Sequence, residues 1–430
     1  MRNRNGFALR ASTFLLLCTV SAVSPASVAQ STQAAGKDVR ILCNALDHEI
    51  FGDLMTYQLL VSGDPHAFVR RLAPAPPLND IREETVFAGP TVDLGGGLAS
   101  INDSANGPEF GLGPQGTQIV YTSEDPVTHN LYIGRSTNAC PDLDDGCWVS
   151  MPFPNLTPDE NRWHTSATLD TVTPPKIVYT YSPGPRDTDV HIAYRDLEDP
   201  DLSHEHLIQD RKAVDFSHWV LVNGEYFIVL QYGPEGGDQQ AALYDVTPPI
   251  QQPRVRVMTS GPGVRTEGWV RLDPASGRYT LITVNQVGGI SVMEVYQRIS
   301  GVWTHLYDIN AAQAGETNPE LAFVQSPEPF VYRGRLYVAF VTSDTGDFAT
   351  LTRGNIRITR LDPGGAPPTF FKLLDDDTLE RKRLEPEIHF PTNDSPVVYF
   401  MQRATAQGED GCAPNSVMLR RARTGLRRVD

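Results

Sequence analysis

The chain has 430 residues, with 52 acidic side chains against 36 basic ones and a formal net charge of −16 at pH 7. Such an excess of negative charge repels nucleic acids and anionic membranes, so we expect neither as a partner. Beyond residue 29, no stretch approaches the ~20 consecutive apolar residues that a membrane helix needs.

Residues 1–29 have the composition of a secretory signal peptide. Basic residues up to Arg10 precede an apolar stretch at 14–17, and Ser27-Val28-Ala29 offers a small-residue cleavage site. We therefore predict a secreted or periplasmic protein and exclude this segment from the fold. The remainder, residues 30–430, is expected to form a single domain.

A short pattern recurs along the chain, in which an apolar run rich in Val, Ile and Tyr follows a turn rich in Gly, Asn or Pro. Six runs show it, at residues 119–121, 177–179, 227–229, 280–282, 336–338 and 397–399. A period of roughly 50 to 60 residues is near the upper end of known repeats and is typical of propeller blades.

Each repeat divides into four short strands, which in the fifth repeat are expected at 328–332, 335–341, 356–360 and 369–373. Four strands per unit and no convincing helical period predict an all-β fold, a β-propeller of four-stranded blades. We expect six blades, with five or seven as alternatives. Two further strands, at 56–61 and 67–72, either complete the last blade or belong to a seventh.

Four cysteines follow the predicted signal peptide, an even number that indicates disulfides in an exported protein. Cys140 and Cys147 are close enough in sequence to close a short loop. That pairing leaves Cys43 and Cys412 to join the first and last structured segments, where a propeller must close its ring.

The inner strands of a propeller meet at a central channel, so residues that open these strands should converge at one mouth. Carboxylates, imidazoles and indoles are frequent there: Glu109, Trp163, His164, Asp215, His218, Trp219, Glu267, Trp269, Glu328, Glu387 and His389. Two carboxylates can divide the acid and base roles of glycoside cleavage, and Trp rings can stack on sugars. This combination predicts a carbohydrate substrate, bound by Trp163, Trp219, Trp269, Glu328, Glu387 and Arg265.

Residues 103–345 resemble the propeller glycoside hydrolases of family 43, which include arabinofuranosidases and xylosidases. Thr266-Glu267-Gly268-Trp269 is similar to the segment that holds the general acid of the family, and the resemblance therefore implies that role for Glu267. Asp215-Phe216 is similar to the segment whose Asp tunes the pKa of that acid. The chain departs from the family at Gly107-Pro108, where the catalytic base would be an Asp, so the base is unidentified.

A polysaccharide lyase is the first alternative to a hydrolase. His164, His218 or His389 could remove the proton next to a uronate carboxylate, while Arg162 or Arg265 neutralises that carboxylate. Three imidazoles at one mouth could instead hold a divalent metal such as calcium, although no cofactor is required by the hydrolase mechanism.

A non-catalytic propeller that binds an extracellular glycan or protein is the second alternative. In that case Glu267, Glu328 and Glu387 accept backbone N–H groups from a neighbouring blade, and the Trp rings pack between blades. The sequence leaves the sugar, its linkage and the oligomeric state open.

Overall fold

The computed structural model describes residues 39–62, 64–74, 86–96, 108–113, 116–124, 130–138, 148–150, 157, 159–169, 174–184, 189–199, 201–210, 212–234, 236–246, 254–347, 350–362, 368–372, 381–391 and 395–426. The predicted signal peptide at 1–29 and the predicted Cys140–Cys147 pair lie outside these residues. Asp215 is described for its backbone, and its side chain lies outside the description.

The described residues are built from β-strands. In chain order the strands are β1 Val39–Cys43, β2 Leu46–Phe51, β3 Leu54–Val61, β4 Asp64–Leu72, β5 Phe87–Gly96, β6 Glu109–Gly113, β7 Gly116–Glu124, β8 Leu131–Asn138, β9 Trp148–Ser150, β10 Asn161–Ala167, β11 Lys176–Ser182, β12 His191–Asp196, β13 His206–Leu207, β14 Ala213–Val222, β15 Glu225–Tyr232, β16 Gln240–Asp245, β17 Val255–Val257, β18 Val264–Asp273, β19 Arg278–Val287, β20 Ile290–Ile299, β21 Val302–Ile309, β22 Phe323–Tyr332, β23 Arg335–Ser343, β24 Gly354–Leu361, β25 Thr369–Lys372, β26 Arg383–His389, β27 Val397–Arg403 and β28 Val417–Arg423. A 3₁₀ turn at Leu202–His204 lies between β12 and β13. Among these residues no helix is long and apolar enough to cross a membrane.

The strands form seven four-stranded sheets within the described residues, and each sheet is one blade of a β-propeller. Blades 1 to 6 each take four consecutive strands: β2–β5, β6–β9, β10–β13, β14–β17, β18–β21 and β22–β25. Blade 7 takes β26, β27 and β28 from the end of the chain and β1 from its beginning. Neighbouring strands within every blade are antiparallel, as expected for short turns between them.

The all-β propeller is confirmed, but the expectation of six blades is wrong and the alternative of seven is correct. The two strands expected at 56–61 and 67–72 are β3 and β4 of blade 1. The inner strand of that blade, β2, reads Leu-Asp-His-Glu-Ile-Phe. Its three consecutive polar residues interrupt the apolar alternation that indicates a strand, so the sequence pattern does not predict the inner strand of this blade.

The six predicted apolar runs lie in the second strands of blades 2 to 7, which are β7, β11, β15, β19, β23 and β27. A second strand is covered on both faces by the neighbouring blades. In β23, for example, Tyr337 is 1% exposed and Val338 is fully buried. A strand that is buried on both faces has a continuous apolar sequence, and this is why the pattern marked the second strands so reliably.

Most inner strands contain an extra residue that interrupts their pairing with the second strand. The register shifts in β2, β10, β14, β18, β22 and β26, and five of these shifts contain a non-glycine residue with positive φ: Asp47 (42°), His164 (57°), Glu267 (52°), Ser326 (50°) and Glu385 (48°). Such residues form β-bulges, which turn the strand and re-aim the side chains that follow. Residues such as Glu328, expected to open the inner strands, lie in their middle, because β22 begins five residues earlier at Phe323.

At three of these bulges, a side chain of the preceding blade accepts a hydrogen bond from a backbone N–H group. The N–H of His164 lies 3.3 Å from Thr122 Oγ1, that of Ser326 lies 2.8 Å from Glu267 Oε2, and that of Asp47 lies 3.2 Å from Met401 Sδ. A left-handed backbone costs a non-glycine residue about 1 to 2 kcal/mol. These contacts between blades therefore help to hold a conformation that the local sequence disfavours.

Blade 7 closes the ring with strands from both ends of the chain. β1 pairs antiparallel with β28, so residues 39–43 provide the outermost strand of the last blade. A disulfide joins Cys43 at the end of β1 to Cys412, with a Cα–Cα distance of 5.5 Å and a sequence separation of 369 residues. The predicted pairing of these two cysteines is confirmed, and it fastens the junction where the ring closes.

Removing this disulfide should destabilise the ring without altering its channel. A cross-link between distant residues restricts the unfolded chain, and native disulfides of this kind typically contribute about 2 to 5 kcal/mol. The double variant Cys43→Ser, Cys412→Ser should lose a free energy of unfolding in that range, measured by urea denaturation. Reduced wild-type protein is the matched control and should unfold like the variant. A peptide map that links Cys43 to Cys140 would contradict the pairing.

Candidate functional site

Each inner strand places one residue at an equivalent position opposite the middle of its second strand. These seven residues, which we call the inner ring, are Glu49, Glu109, Ser166, His218, Trp269, Glu328 and Glu387. In the five strands that have such a residue with positive φ, the inner-ring residue lies two positions after it. All seven line one central cavity of about 630 Å³. The cavity occupies the part of the channel that faces the carboxyl-terminal halves of the inner strands.

One side of the inner ring is acidic. Its glutamates come from four consecutive blades, 6, 7, 1 and 2, because ring closure places blade 7 beside blade 1. They form an arc of Glu328, Glu387, Glu49 and Glu109, which we call the acidic arc.

The other side of the inner ring has no carboxyl group and includes two aromatic rings, those of His218 and Trp269. His218 stacks on Trp269 with ring centroids 4.2 Å apart and an interplanar angle of 25°. The guanidinium of Arg271 lies 4.9 Å from the centroid of the same Trp ring, within the range of a cation–π contact. Trp269 therefore supports two polar side chains in the cavity wall, and one of its faces is already covered.

Three glutamates of the acidic arc, Glu49, Glu328 and Glu387, have pKa values well above the ordinary range. Burial is the largest cause for Glu49, Glu328 and Glu387, and repulsion between neighbouring carboxylates adds to it. The first electrostatic influence on Glu387 is the charge of Glu328, which raises its pKa further. The first on Glu328 is Arg271, which lowers its pKa and so opposes the effect of burial. The strongest electrostatic neighbour of Glu328 is therefore a positive charge, that of Arg271. The strongest neighbour of Glu387 is a negative charge, that of Glu328.

Glu267, predicted as the proton donor, lies at the bulge of β18 and is not among the residues that line the cavity. Its Oε2 accepts the N–H of Ser326 from blade 6 at 2.8 Å. Burial raises the pKa of Glu267 to about 7, against the lowering effect of that N–H group. This contact is the one expected of a structural acid, while the catalytic role of Glu267 stays a prediction.

The three predicted histidines do not converge in the structure. His218 lines the cavity, whereas His164 is buried at the bulge of β10. His389 is 2% exposed, and its Nδ1 lies 3.1 Å from the carbonyl oxygen of Gly52. Burial lowers the pKa of His389 to about 4, so it is neutral at physiological pH. No group of three or more His, Cys, Asp or Glu side chains within the described residues could hold a metal ion.

The two arginines predicted to bind a substrate carboxylate form buried ion pairs inside the blades. Arg265 is 2% exposed, and its Nε lies 2.7 Å from Glu294 Oε2. Arg162 is fully buried between Glu160 and Glu205, at 3.1 and 2.9 Å. Neither arginine lines the cavity, so neither reaches a molecule bound there.

The predicted tryptophans divide between packing and the cavity. Trp163 is 3% exposed and packs against Leu131, away from the cavity. Trp219 borders the cavity but is 9% exposed, with its ring edge-on to Tyr194. Asp215 lies in β14, and its side chain is outside the described part of the chain.

Sequence reasoning missed two charged residues of the cavity wall, Glu49 and Arg271. Glu49 could have been found by aligning Asp47-His48-Glu49 with Glu385-Pro386-Glu387, because both segments place an acid at the bulge and a glutamate two residues later. Arg271 has no equivalent in the other repeats. Its only sequence signal is its position two residues after Trp269, which puts both side chains on one side of the strand.

No protein-family model matches the chain, and no curated protein matches it. Among solved structures, an ulvan lyase, described as a new family of polysaccharide lyase and bound to -[GlcA(1-4)Rha3S]-, is 12% identical with a TM-score of 0.50, over 90% of this chain and 94% of its own. The β-propeller domain of the Trilobed protease from Pyrococcus furiosus is 10% identical with a TM-score of 0.45, over 90% and 96%. An endo-arabinase from Bacteroides thetaiotaomicron VPI-5482 is 11% identical with a TM-score of 0.35, over 59% and 92%. The likeness to the ulvan lyase is one of fold.

Substitution of Glu267 separates its structural role from a catalytic one. Its pKa is raised on folding from 4.5 to about 7, so its contribution to stability is greatest below pH 4.5 and declines as the pH rises to about 7. Glu267→Gln keeps an acceptor for the N–H of Ser326 but does not titrate. The stability of this variant relative to wild type should therefore increase between pH 4.5 and 7, as measured by urea unfolding.

Glu267→Ala is the companion variant, since it leaves the N–H of Ser326 without its acceptor. A buried unsatisfied donor costs about 1 to 3 kcal/mol, so this variant should be less stable than Glu267→Gln by that amount. Parallel pH profiles for wild type and Glu267→Gln would contradict the structural role. Loss of turnover in a Glu267→Gln variant that is as stable as wild type would support the proton-donor role instead.

Proposed function

We propose that the protein cleaves glycosidic bonds in a polysaccharide or oligosaccharide, using Glu387 as the proton donor and Glu328 as the ionised carboxylate. The observation that carries this proposal is the pair of carboxyl groups at equivalent inner-ring positions of adjacent blades 6 and 7. Glycoside hydrolysis requires two carboxyl groups in different protonation states on either side of the scissile bond.

The surroundings of the two glutamates push their pKa values apart. Burial raises both, but Arg271 favours the charged form of Glu328, and the charge of Glu328 then disfavours a second charge on Glu387. Glu387 is also repelled by Glu109 and Glu385. A pair of carboxyl groups with opposed environments is the usual arrangement by which one acts as an acid and the other as a base.

In the reaction, Glu387 transfers its proton to the oxygen of the leaving sugar as the bond from that oxygen to the anomeric carbon breaks. Positive charge develops on the sugar ring, and the carboxylate of Glu328 stabilises it electrostatically. A water molecule supplies the hydroxyl group at the anomeric carbon, and its remaining proton restores the protonated carboxyl. The products are two shorter sugars with a new reducing end.

The cavity fits a carbohydrate in size and in chemistry. Its volume of about 630 Å³ lies within the range of small-molecule sites, roughly 300 to 1,000 Å³. Apolar and aromatic side chains share its wall with the acidic arc, which suits the mixed polar and apolar surface of a sugar. The ulvan lyase gives further support, because it processes a polysaccharide on the same fold.

Elimination is the second candidate, because His218 lies in the cavity and could act as a base. The two reactions differ in their products. Hydrolysis creates reducing ends without unsaturation, whereas elimination leaves an unsaturated uronate that absorbs in the ultraviolet. Incubation with a panel of plant, algal and bacterial polysaccharides, followed by both measurements, distinguishes them. Neither reducing ends nor unsaturated products with any polysaccharide of the panel would favour a non-catalytic binding protein.

Glu387→Gln and Glu328→Gln should each abolish most of the turnover. General acid catalysis typically contributes 10² to 10⁴ in rate, so we expect kcat for reducing-end release to fall by about that factor in Glu387→Gln. Because the wild-type reaction needs protonated Glu387, whose pKa is raised, the rate should fall as the pH rises through that raised pKa. Steady-state assays over a range of pH measure both effects.

Glu320→Gln is the matched control, since it makes the same chemical change at an exposed glutamate whose ion pair with Arg353 lies on the surface. It should keep wild-type turnover. Thermal unfolding of all three variants verifies that they are folded. Wild-type turnover in a folded Glu387→Gln would rule out its role as the proton donor.

A further inference from the structure

Arg271 lies in the wall of the cavity, on β18, two residues after the inner-ring residue Trp269. The intervening Val270 is 3% exposed and faces the packed interior between blades. Alternation along a strand therefore directs Arg271 to the same side as Trp269. Among the described residues that line the cavity, Arg271 is the only Lys or Arg.

The guanidinium of Arg271 makes no ion pair and no hydrogen bond within the described part of the chain. This sets it apart from Arg162, Arg265 and Arg357, whose guanidinium groups each lie within 2.9 Å of a buried carboxylate. Glu328 and Glu387 influence Arg271 electrostatically, but neither forms a salt bridge with it. The guanidinium carbon of Arg271 lies 4.9 Å from the centroid of the Trp269 ring, and this contact uses none of its five N–H donors in a hydrogen bond.

We propose that Arg271 binds the anionic group of an acidic sugar, a carboxylate of a uronate or a sulfate ester, in the substrate. This inference rests on the proposed function and names its substrate class. A planar guanidinium with unused donors is suited to bidentate recognition of such groups. Arg271 acts on Glu328 only through its charge and forms no salt bridge with it, so its N–H donors can meet a negative charge on the ligand.

The acidic arc would be expected to repel an acidic sugar, but protonation of part of the arc reduces that repulsion. Burial and mutual repulsion raise the pKa values of Glu49 and Glu387, so these two carboxyl groups gain charge only as the pH rises, whereas Arg271 favours the charged form of Glu328. The titratable groups that face Arg271 across the cavity are Glu49, Glu109, His218, Tyr226, Tyr279, Glu328 and Glu387. Affinity for an acidic sugar should therefore decrease as the pH is raised, and affinity for a neutral sugar should change much less.

The experiment measures binding in Glu387→Gln protein, so that no turnover is needed. The probes are methyl glucoside and methyl galactoside, the corresponding methyl uronides, and the corresponding 6-sulfates, each titrated by ligand-observed NMR. At least one acidic probe should bind about 10 to 100 times more tightly than the neutral glycoside with the same ring, the range for hydrogen bonds to charged groups. Preference for the uronide or for the 6-sulfate identifies which anion the substrate carries.

Adding Arg271→Gln should weaken binding of the acidic probe by about 10 to 100 times more than binding of the neutral glycoside, and Arg271→Lys should keep part of the preference. Arg256→Gln is the matched control, because it removes the same charge from an exposed residue of the outer strand β17. Equal affinities within every pair, or no binding of any acidic probe at millimolar concentration, would overturn the proposal. A protein that binds acidic probes selectively but hydrolyses nothing would leave this inference standing and refute the proposed reaction.

Discussion

An antiparallel ladder cannot accommodate an extra residue in one strand without leaving a backbone N–H unpaired and twisting the strand. The inner strands of this propeller accept that disruption at equivalent places, with Asp47, His164, Glu267, Ser326 and Glu385 in left-handed conformations. Neighbouring blades supply the missing partners, as Glu267 does for Ser326. The position of the inner ring depends on these bulges, because each sets the direction of the side chain two residues later. Packing between blades and the geometry of the cavity are therefore two consequences of one constraint.

The same constraint explains why function is spread unevenly around a nearly regular ring. Every blade contributes one inner-ring residue, yet four adjacent blades contribute glutamates and the others Ser166, His218 and Trp269. A ring of seven carboxylates would repel itself strongly in a partly buried cavity. The acids are confined to one arc, and Arg271 affects the adjacent glutamates Glu328 and Glu387 unequally. Arg271 is the strongest electrostatic neighbour of Glu328, whereas Glu328 is the strongest neighbour of Glu387. Asymmetry around the ring thus produces the difference in protonation that acid–base chemistry requires.

Much of the fold could be read from the sequence, because second strands buried on both faces have continuous apolar runs that repeat with the blades. The pairing of Cys43 with Cys412 could also be read, since ring closure gives that disulfide a mechanical purpose. The seventh blade was missed because β2 places polar residues where a strand pattern needs apolar ones. Of the sequence candidates, Glu328 and Glu387 line the cavity, whereas Glu267, the preferred proton donor of the sequence analysis, does not. A bulge changes which residue of an acid-rich segment faces the cavity, and no local pattern in the sequence indicates the direction of a side chain after a bulge.

Substitution of an inner-ring residue and substitution of a bulge residue should have different effects on the free energy of unfolding. An inner-ring side chain faces a cavity, so its replacement changes few contacts between blades, whereas replacement of a bulge residue or its partner leaves a buried donor unsatisfied. Burial of several carboxyl groups in one cavity even opposes folding, as the raised pKa values of Glu49 and Glu387 show. Neutralising such a group should relieve that strain while removing its chemistry. Loss of activity with retained stability on substitution by Ala is therefore the signature that distinguishes an inner-ring residue from a bulge residue such as Glu267, whose side chain accepts the N–H of Ser326.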